Sequence, residues 1–293
     1  MRLIPTYRRR PSALHAAGPG VATLYCAAFA LVAVLCSHPL VLAAAAAGLL
    51  LAGAGAGVGR EHARWLWLAV PLVVLTVAIN AIVSQRGLTV VLRGGTVFGH
   101  RLDVTAEALA WGAVTGVRIG VLFLACGLYA LVVDPDEVLK LARRISYRSA
   151  LTASLATRLV PVLARDAARM REATRCRPRA PGRLEVLRAT LATSLERAVE
   201  VAAALEVRGY AAARPPRRVG RRWSRHDVRV AAAAVLVAGA AIAGKLAGGA
   251  WVHFEPTVRM ALDPATFALC AALVAGGLAP FATAGARLGV ARA

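Results

Sequence analysis

Six long apolar runs constrain this chain more than anything else in it. They cover about Val21–Ser37, Leu40–Val58, Trp65–Val83, Leu109–Val133, Val230–Gly248 and Ala265–Ala284. Several reach the roughly 20 consecutive apolar residues that cross a bilayer core. A backbone in hydrocarbon has to satisfy its own hydrogen bonds, so such runs read as helices. The predicted fold class is an all-α integral membrane protein with about six transmembrane helices, joined by a cytoplasmic pair of long amphipathic helices.

The formal net charge of +21 would point to nucleic acid in a soluble protein, but its distribution says otherwise. With the N-terminus inside and six spans threaded, 30 of the 36 Lys and Arg fall in cytoplasmic segments, 22 of them in 132–229. Four lie in external loops (Arg86, Arg93, Arg101, Arg259) and two in spans (Arg118, Lys245). That asymmetry is the positive-inside pattern and predicts a multi-pass protein with both termini cytoplasmic. Anionic lipid headgroups are a second use of the charge. No nucleic-acid module accompanies it, so nucleic acid is not an expected partner. Tyr7-Arg8-Arg9-Arg10 precedes a first run long enough to span, with no small-x-small cleavage site after it, which reads as a retained helix. Four of the five cysteines (Cys26, Cys36, Cys126, Cys270) sit in predicted spans without a CxxC pair, so neither zinc nor a disulfide framework is expected.

Three blocks follow along the chain: a four-span block (1–133), a cytoplasmic insert with a basic linker (134–229), and two further spans (230–293). The external loop 84–104 is Gly-rich and carries no assignable chemistry. Asp134-Pro135-Asp136-Glu137 opens the insert with a cap, a proline at the first helical position and an acid three after the cap, a strong helix start. It predicts a short helix over Pro135–Ile145. A longer one is expected over Ser149–Arg177, with Leu151, Leu155, Leu159 and Val162 as its apolar stripe and a bend at Pro161. After the breaker Pro178-Arg179-Ala180-Pro181-Gly182, a third helix is predicted over Arg183–Arg208 with Leu184, Leu187, Leu191, Leu195, Ala202 and Leu205 on one face. Gly209 stands where a left-handed cap is expected. The two long helices read as a hairpin whose apolar stripes are available to rest on the membrane block. Gly53/Gly57, Gly116/Gly120 and Gly244/Gly248 are spaced for close helix approach in lipid.

No reaction centre is visible. The six histidines are scattered singly, and neither HExxH nor G-x-S-x-G occurs. Gly239 to Lys245 matches most of a phosphate loop, but Leu246 replaces the Ser or Thr and the stretch lies in an apolar run. Arg118 falls near the middle of span four, where an unpaired arginine costs at least roughly 2.5–3.5 kcal/mol. Its expected partners are backbone carbonyls or polar side chains such as Asn80 or Thr115, and a structural role in packing is equally consistent. Arg177 and Arg208 each end a long helix of the insert. Singly, either complements a helix dipole. As a pair on consecutive helices, they are suited to grip carboxylates on two copies of a partner, because the guanidinium fork binds carboxylate bidentately and stays charged.

Ala204-Leu205-Glu206-Val207-Arg208-Gly209-Tyr210 resembles the Ala-Met-Glu-Ala-Arg-Gly-Tyr run of the T component of energy-coupling factor (ECF) transporters, the family that includes the cobalt-uptake CbiQ proteins. Val207 stands in the alanine position. The first copy, Cys176-Arg177-Pro178, keeps only the arginine. Asp134-Pro135-Asp136-Glu137-Val138-Leu139 is similar to the family's acidic-proline helix start, and Thr157-Arg158-Leu159-Val160-Pro161 to its Leu-Arg-Phe-x-Pro element. Asn80 to Ser84 with Gly87-Leu88-Thr89 also fits. The resemblance implies coupling helices whose two arginines contact a pair of ABC-type ATPases, and a separate small membrane subunit that captures a micronutrient. It further implies a bacterial-type cell membrane, no cofactor on this chain, ATP and Mg²⁺ on the partner ATPases, and no covalent chemistry here. A self-contained ABC permease and, more remotely, a membrane-embedded enzyme are the rival readings.

Overall fold

In the computed structural model, residues 7–83, 89–97, 100–142, 147–175, 182–209, 223–247, 252–253, 259–260 and 263–282 are described. A short helix α1 (Ala13–Ala16) leads into α2 (Pro19–Leu35), α3 (Pro39–Gly55), α4 (Gly59–Val83) and α5 (Ala106–Val132). The insert contains α6 (Pro135–Ala142), α7 (Tyr147–Arg175) and α8 (Arg183–Val207), and α9 (Arg225–Leu246) and α10 (Pro264–Leu278) return. The six apolar helices start and stop within a few residues of the predicted runs. Four of them are long and apolar enough to cross a membrane; α2 and α3, at 17 residues each, are shorter apolar helices. The chain is an all-α membrane protein, and its described strands form two small ribbons between helices.

One ribbon lies between α4 and α5. It is an antiparallel pair, β1 (Val90–Val97) with β2 (His100–Thr105), with Val90 opposite Thr105 and Val97 opposite His100. A second pair, β3 (Val252–His253) and β4 (Arg259–Met260), joins α9 to α10.

The chain divides into two compact units, Met1–Asp134 with Trp223–Ala293, and Pro135–Arg222. In the first, α2 packs on α5 and α9, α3 on α5 and α10, and α4 on α5. Tyr25, Phe29, Leu49, Leu124, Leu128 and Leu273 are among its largest wholly buried groups. Tyr25 sets its ring edge-on to Phe29 (centroids 5.3 Å apart) and donates its hydroxyl proton to the Gly276 carbonyl (3.1 Å), so a phenol in an apolar core stays satisfied. His62, fully buried near the start of α4, donates from Nε2 to the Leu124 carbonyl of α5 (2.8 Å) and lies against Gly53 of α3.

Glycines let these helices touch. Gly53 faces His62, Gly116 faces Val73 and Gly244 faces Leu269. The tightest backbone-to-backbone crossing among the described residues was not among the predicted pairs: a Cβ on Gly277 would lie 2.4 Å from the Gly48 carbonyl oxygen. Helix α4 holds Pro71 in its interior and leaves Trp67 78% exposed, as lipid-facing residues are.

Asp227 is a buried carboxylate that the sequence reading overlooked. One oxygen accepts from the Gly18 amide at the start of α2, and the other from the Ser224 amide (2.7 Å). Ser224 Oγ in turn accepts from the Asp227 amide (3.1 Å), a capping box that starts α9. Asp227→Asn turns an amide NH₂ toward one of those two N–H groups. It is expected to cost about 1–3 kcal/mol, read as a lower thermal midpoint of the detergent-solubilised chain; an unchanged midpoint would contradict the tie.

Candidate functional site

The insert is built from amphipathic helices. Pro135 opens α6, with Asp136 and Glu137 in its first turn, as its sequence predicted. Helix α7 runs through Pro161 without interruption, and Leu155, Leu159 and Val162 are partly buried. Arg158 is exposed on the same helix.

Helices α7 and α8 form an antiparallel hairpin, and two contacts set its register. Arg197 Nη1 donates to Asp166 Oδ2 at 2.6 Å, and Thr190 Oγ1 lies 3.7 Å from Met170 Sδ. The face that α8 turns toward α7 is not its leucine row. Val186, Thr190, Ser194, Arg197, Val201 and Leu205 are partly buried, whereas Leu184, Leu187, Leu191 and Leu195 are 54–68% exposed. Of that row only Leu205 is partly buried; Ala202 is exposed. The reason is geometric: small and β-branched positions let two helices approach more closely than a leucine row does, and the leucines lie about a quarter-turn away.

The C-terminal end of α8 carries the clearest feature. Arg208 caps the helix, its amide bonding to the Ala204 carbonyl (3.2 Å), and Gly209 follows at φ +70, its amide on the Glu206 carbonyl (2.8 Å). That left-handed turn stops the helix and leaves the last side chains outside the hairpin. Glu206, Val207 and Arg208 are all exposed, Val207 at 89%. The turn thus sets a bulky apolar group beside an exposed arginine side chain.

Not all the expected residues meet. By the Asp166–Arg197 register Arg208 lies level with Leu155 of α7, while Arg175, the end of α7, lies level with Arg188 of α8, about 30 Å away at 1.5 Å per residue. Cys176, Arg177 and Pro178 follow α7 directly and lie outside the described residues. Asp134 closes the first unit and Pro135 opens the second.

Arg118 belongs to the membrane unit. Its Nη2 donates to Ser37 Oγ (2.8 Å) and to the Cys36 carbonyl (3.3 Å). The expectation of a carbonyl partner holds, but Asn80 is not involved: its amide donates to Thr76 within α4 (2.8 Å). Although Arg118 is mid-helix in α5, its head reaches the turn between α2 and α3. Ser37→Ala leaves the guanidinium in place with one acceptor fewer and is expected to cost about 1–2 kcal/mol. The double change Ser37→Ala/Arg118→Met should cost less, because both partners leave together. Thermal unfolding of the two variants decides the order.

No group of three or more His, Cys, Asp or Glu positioned for a metal occurs among the described residues. The spans and the helical insert define a multi-pass membrane protein with a separately folded, arginine-tipped hairpin. The family model of CbiQ, described as a cobalt transport protein, matches residues 11–218, and the chain belongs to that family. The matched stretch takes in the first four apolar helices and the whole hairpin. No curated protein matches the chain.

Proposed function

We propose that this membrane transport component is the coupling subunit of an ECF-type ABC importer. In this role the hairpin engages two ABC-type ATPases, and the spans hold a separate small membrane subunit that binds the micronutrient. Cobalt is the cargo named by the family; nickel or a vitamin fits the same role. ATP and Mg²⁺ belong to the ATPases, and this chain binds no cofactor and makes or breaks no covalent bond. Closure of the ATPases moves the hairpin ends, and the substrate-binding subunit reorients in the membrane. The setting is a bacterial-type cell membrane with both termini cytoplasmic.

The observation that carries this reading is the exposed Val207-Arg208 tip, held out by the Gly209 turn on a hairpin that forms its own compact unit. Such a tip has the donors to enter an acidic groove and the apolar flank to seal it. Affinity purification of the tagged chain from its native membrane tests it. An ABC ATPase pair with a small, unrelated membrane protein supports the coupler. An ATPase pair with dimers of this chain and no third protein supports a self-contained permease. Recovery of the chain alone under gentle detergent overturns both and leaves the enzyme reading.

A further inference from the structure

We propose that the Asp166–Arg197 ion pair is a register pin that sets the separation between the two presenting ends of the α7–α8 hairpin; this rests on the coupling role just proposed. The pair joins the two helices at 2.6 Å, and Asp166 also approaches Arg169 of its own helix at 4.0 Å. With side chains 38% and 20% exposed, it is too well solvated to add much stability. Its use lies in choosing among alignments.

The rest of the inter-helix face does not choose well. Thr190 and Ser194 are small and polar, and Val186 and Val201 are alike, so sliding α8 by one turn replaces each contact with a similar one. Leu184, Leu187, Leu191 and Leu195 are exposed, and Leu205, at the end of α8, is the one leucine of that helix that is partly buried. A single polar pair inside an otherwise permissive face is the known way for packed helices to fix alignment. The placement fits the task. Asp166 stands nine residues before Arg175, the last residue of α7, and Arg197 stands eleven before Arg208, on helices that run in opposite directions. The pin therefore sits between the two ends, about 14 Å from one and about 16 Å from the other. A one-turn slip changes the separation of those ends by about 5.4 Å, which two docked partners cannot both absorb. Asp166 and Arg197 are positioning residues; they touch no partner themselves.

The test uses the full-length chain with its five cysteines replaced by alanine and spin labels at Ala156→Cys and Leu191→Cys, two exposed sites offset along the hairpin. The parent should give one narrow distance. Asp166→Ala, Arg197→Ala and the milder Asp166→Asn should broaden it or move it by about 5 Å, with helix content unchanged by circular dichroism. The exchange Asp166→Arg/Arg197→Asp should restore it. Arg169→Gln, which touches the same carboxylate from within α7, should leave it alone. An unchanged distance in all three single variants overturns the pin. Undiminished ATPase recovery and uptake despite a shifted distance overturns the link from register to coupling. A parent chain that recovers no ATPase overturns the coupling role and leaves the distance result standing.

Discussion

An Arg208→Ala chain is expected to insert and fold as the parent does and yet to lose coupled uptake by at least about tenfold. The substitution removes an exposed side chain beyond the last helical residue, so no core contact changes. In the proposed coupling role what is lost is a charged fork to an acidic partner, in the class of interface arginines worth roughly 2 kcal/mol or more, or about thirtyfold in Kd. ATPase recovery on affinity purification should fall in parallel. Arg208→Lys should land between the two, because an ammonium keeps the charge and loses the bidentate geometry. Full uptake by Arg208→Ala would remove this residue from the site. Arg177→Ala is expected to do less damage, since Pro178 replaces the glycine that would let the first helix end in a left-handed turn. Equal loss from the two variants would show that the proline does not weaken the first grip.

Gly277→Val is expected to be the most destabilising single change in the membrane unit, at about 3 kcal/mol or more. A Cβ at this position would meet the carbonyl oxygen, Cα and carbonyl carbon of Gly48 at 2.4, 2.7 and 2.8 Å, and a Cβ on Gly48 would meet the Leu273 carbonyl oxygen at 2.8 Å. These are backbone atoms of two packed helices, so no side-chain rotation relieves the clash. Helices α3 and α10 have to separate, which opens the core around Leu49 and Leu273. Gly277→Ala should fall short of the valine change. Gly239→Ala is the control: nothing lies within 4 Å of its Cβ position, and alanine in a helix interior gains up to about 1 kcal/mol over glycine. Thermal midpoints should rank Gly239→Ala at or above the parent, then Gly277→Ala, then Gly277→Val. A Gly277→Val midpoint equal to the parent's would contradict the crossing.

The apolar helices and the insert helices were legible because their signals are local. Runs of Ala, Leu and Val set the spans, Asp134-Pro135 set the start of α6, and Gly209 set the end of α8. What escaped depends on partners distant in sequence. The leucine row of α8 was legible from its periodicity; the face that meets α7 was not, because only the approach of α7 selects it. Asp227 was discoverable in part: Ser224-x-x-Asp227 is a capping pattern, but its bond to Gly18 spans 209 residues. The β1–β2 ribbon was hidden by its glycines, although Val90, Val91, Leu92 and Val97 carry β-forming side chains. Arg118 was rightly flagged for a carbonyl, and its actual partners sit on a turn that periodicity does not place. The Val207-Arg208 tip was readable as a motif; that it stands clear of the hairpin was not.

The unequal lengths of the apolar helices bear on the lipid as well as on the protein. Helices α2 and α3, 17 residues each, extend about 25 Å, while α5, at 27 residues, extends about 40 Å, against a hydrocarbon core of about 30 Å. One pair is too short for the membrane and its neighbour too long. Acyl chains beside α2 and α3 have to shorten or tilt, and those near α5 have to stretch unless that helix leans, each at a fraction of a kcal/mol per ångström. The protein thus imposes a thickness gradient on the bilayer around it. Membrane lipid composition becomes a variable of its working cycle, and short-chain and long-chain bilayers will not hold it in the same posture.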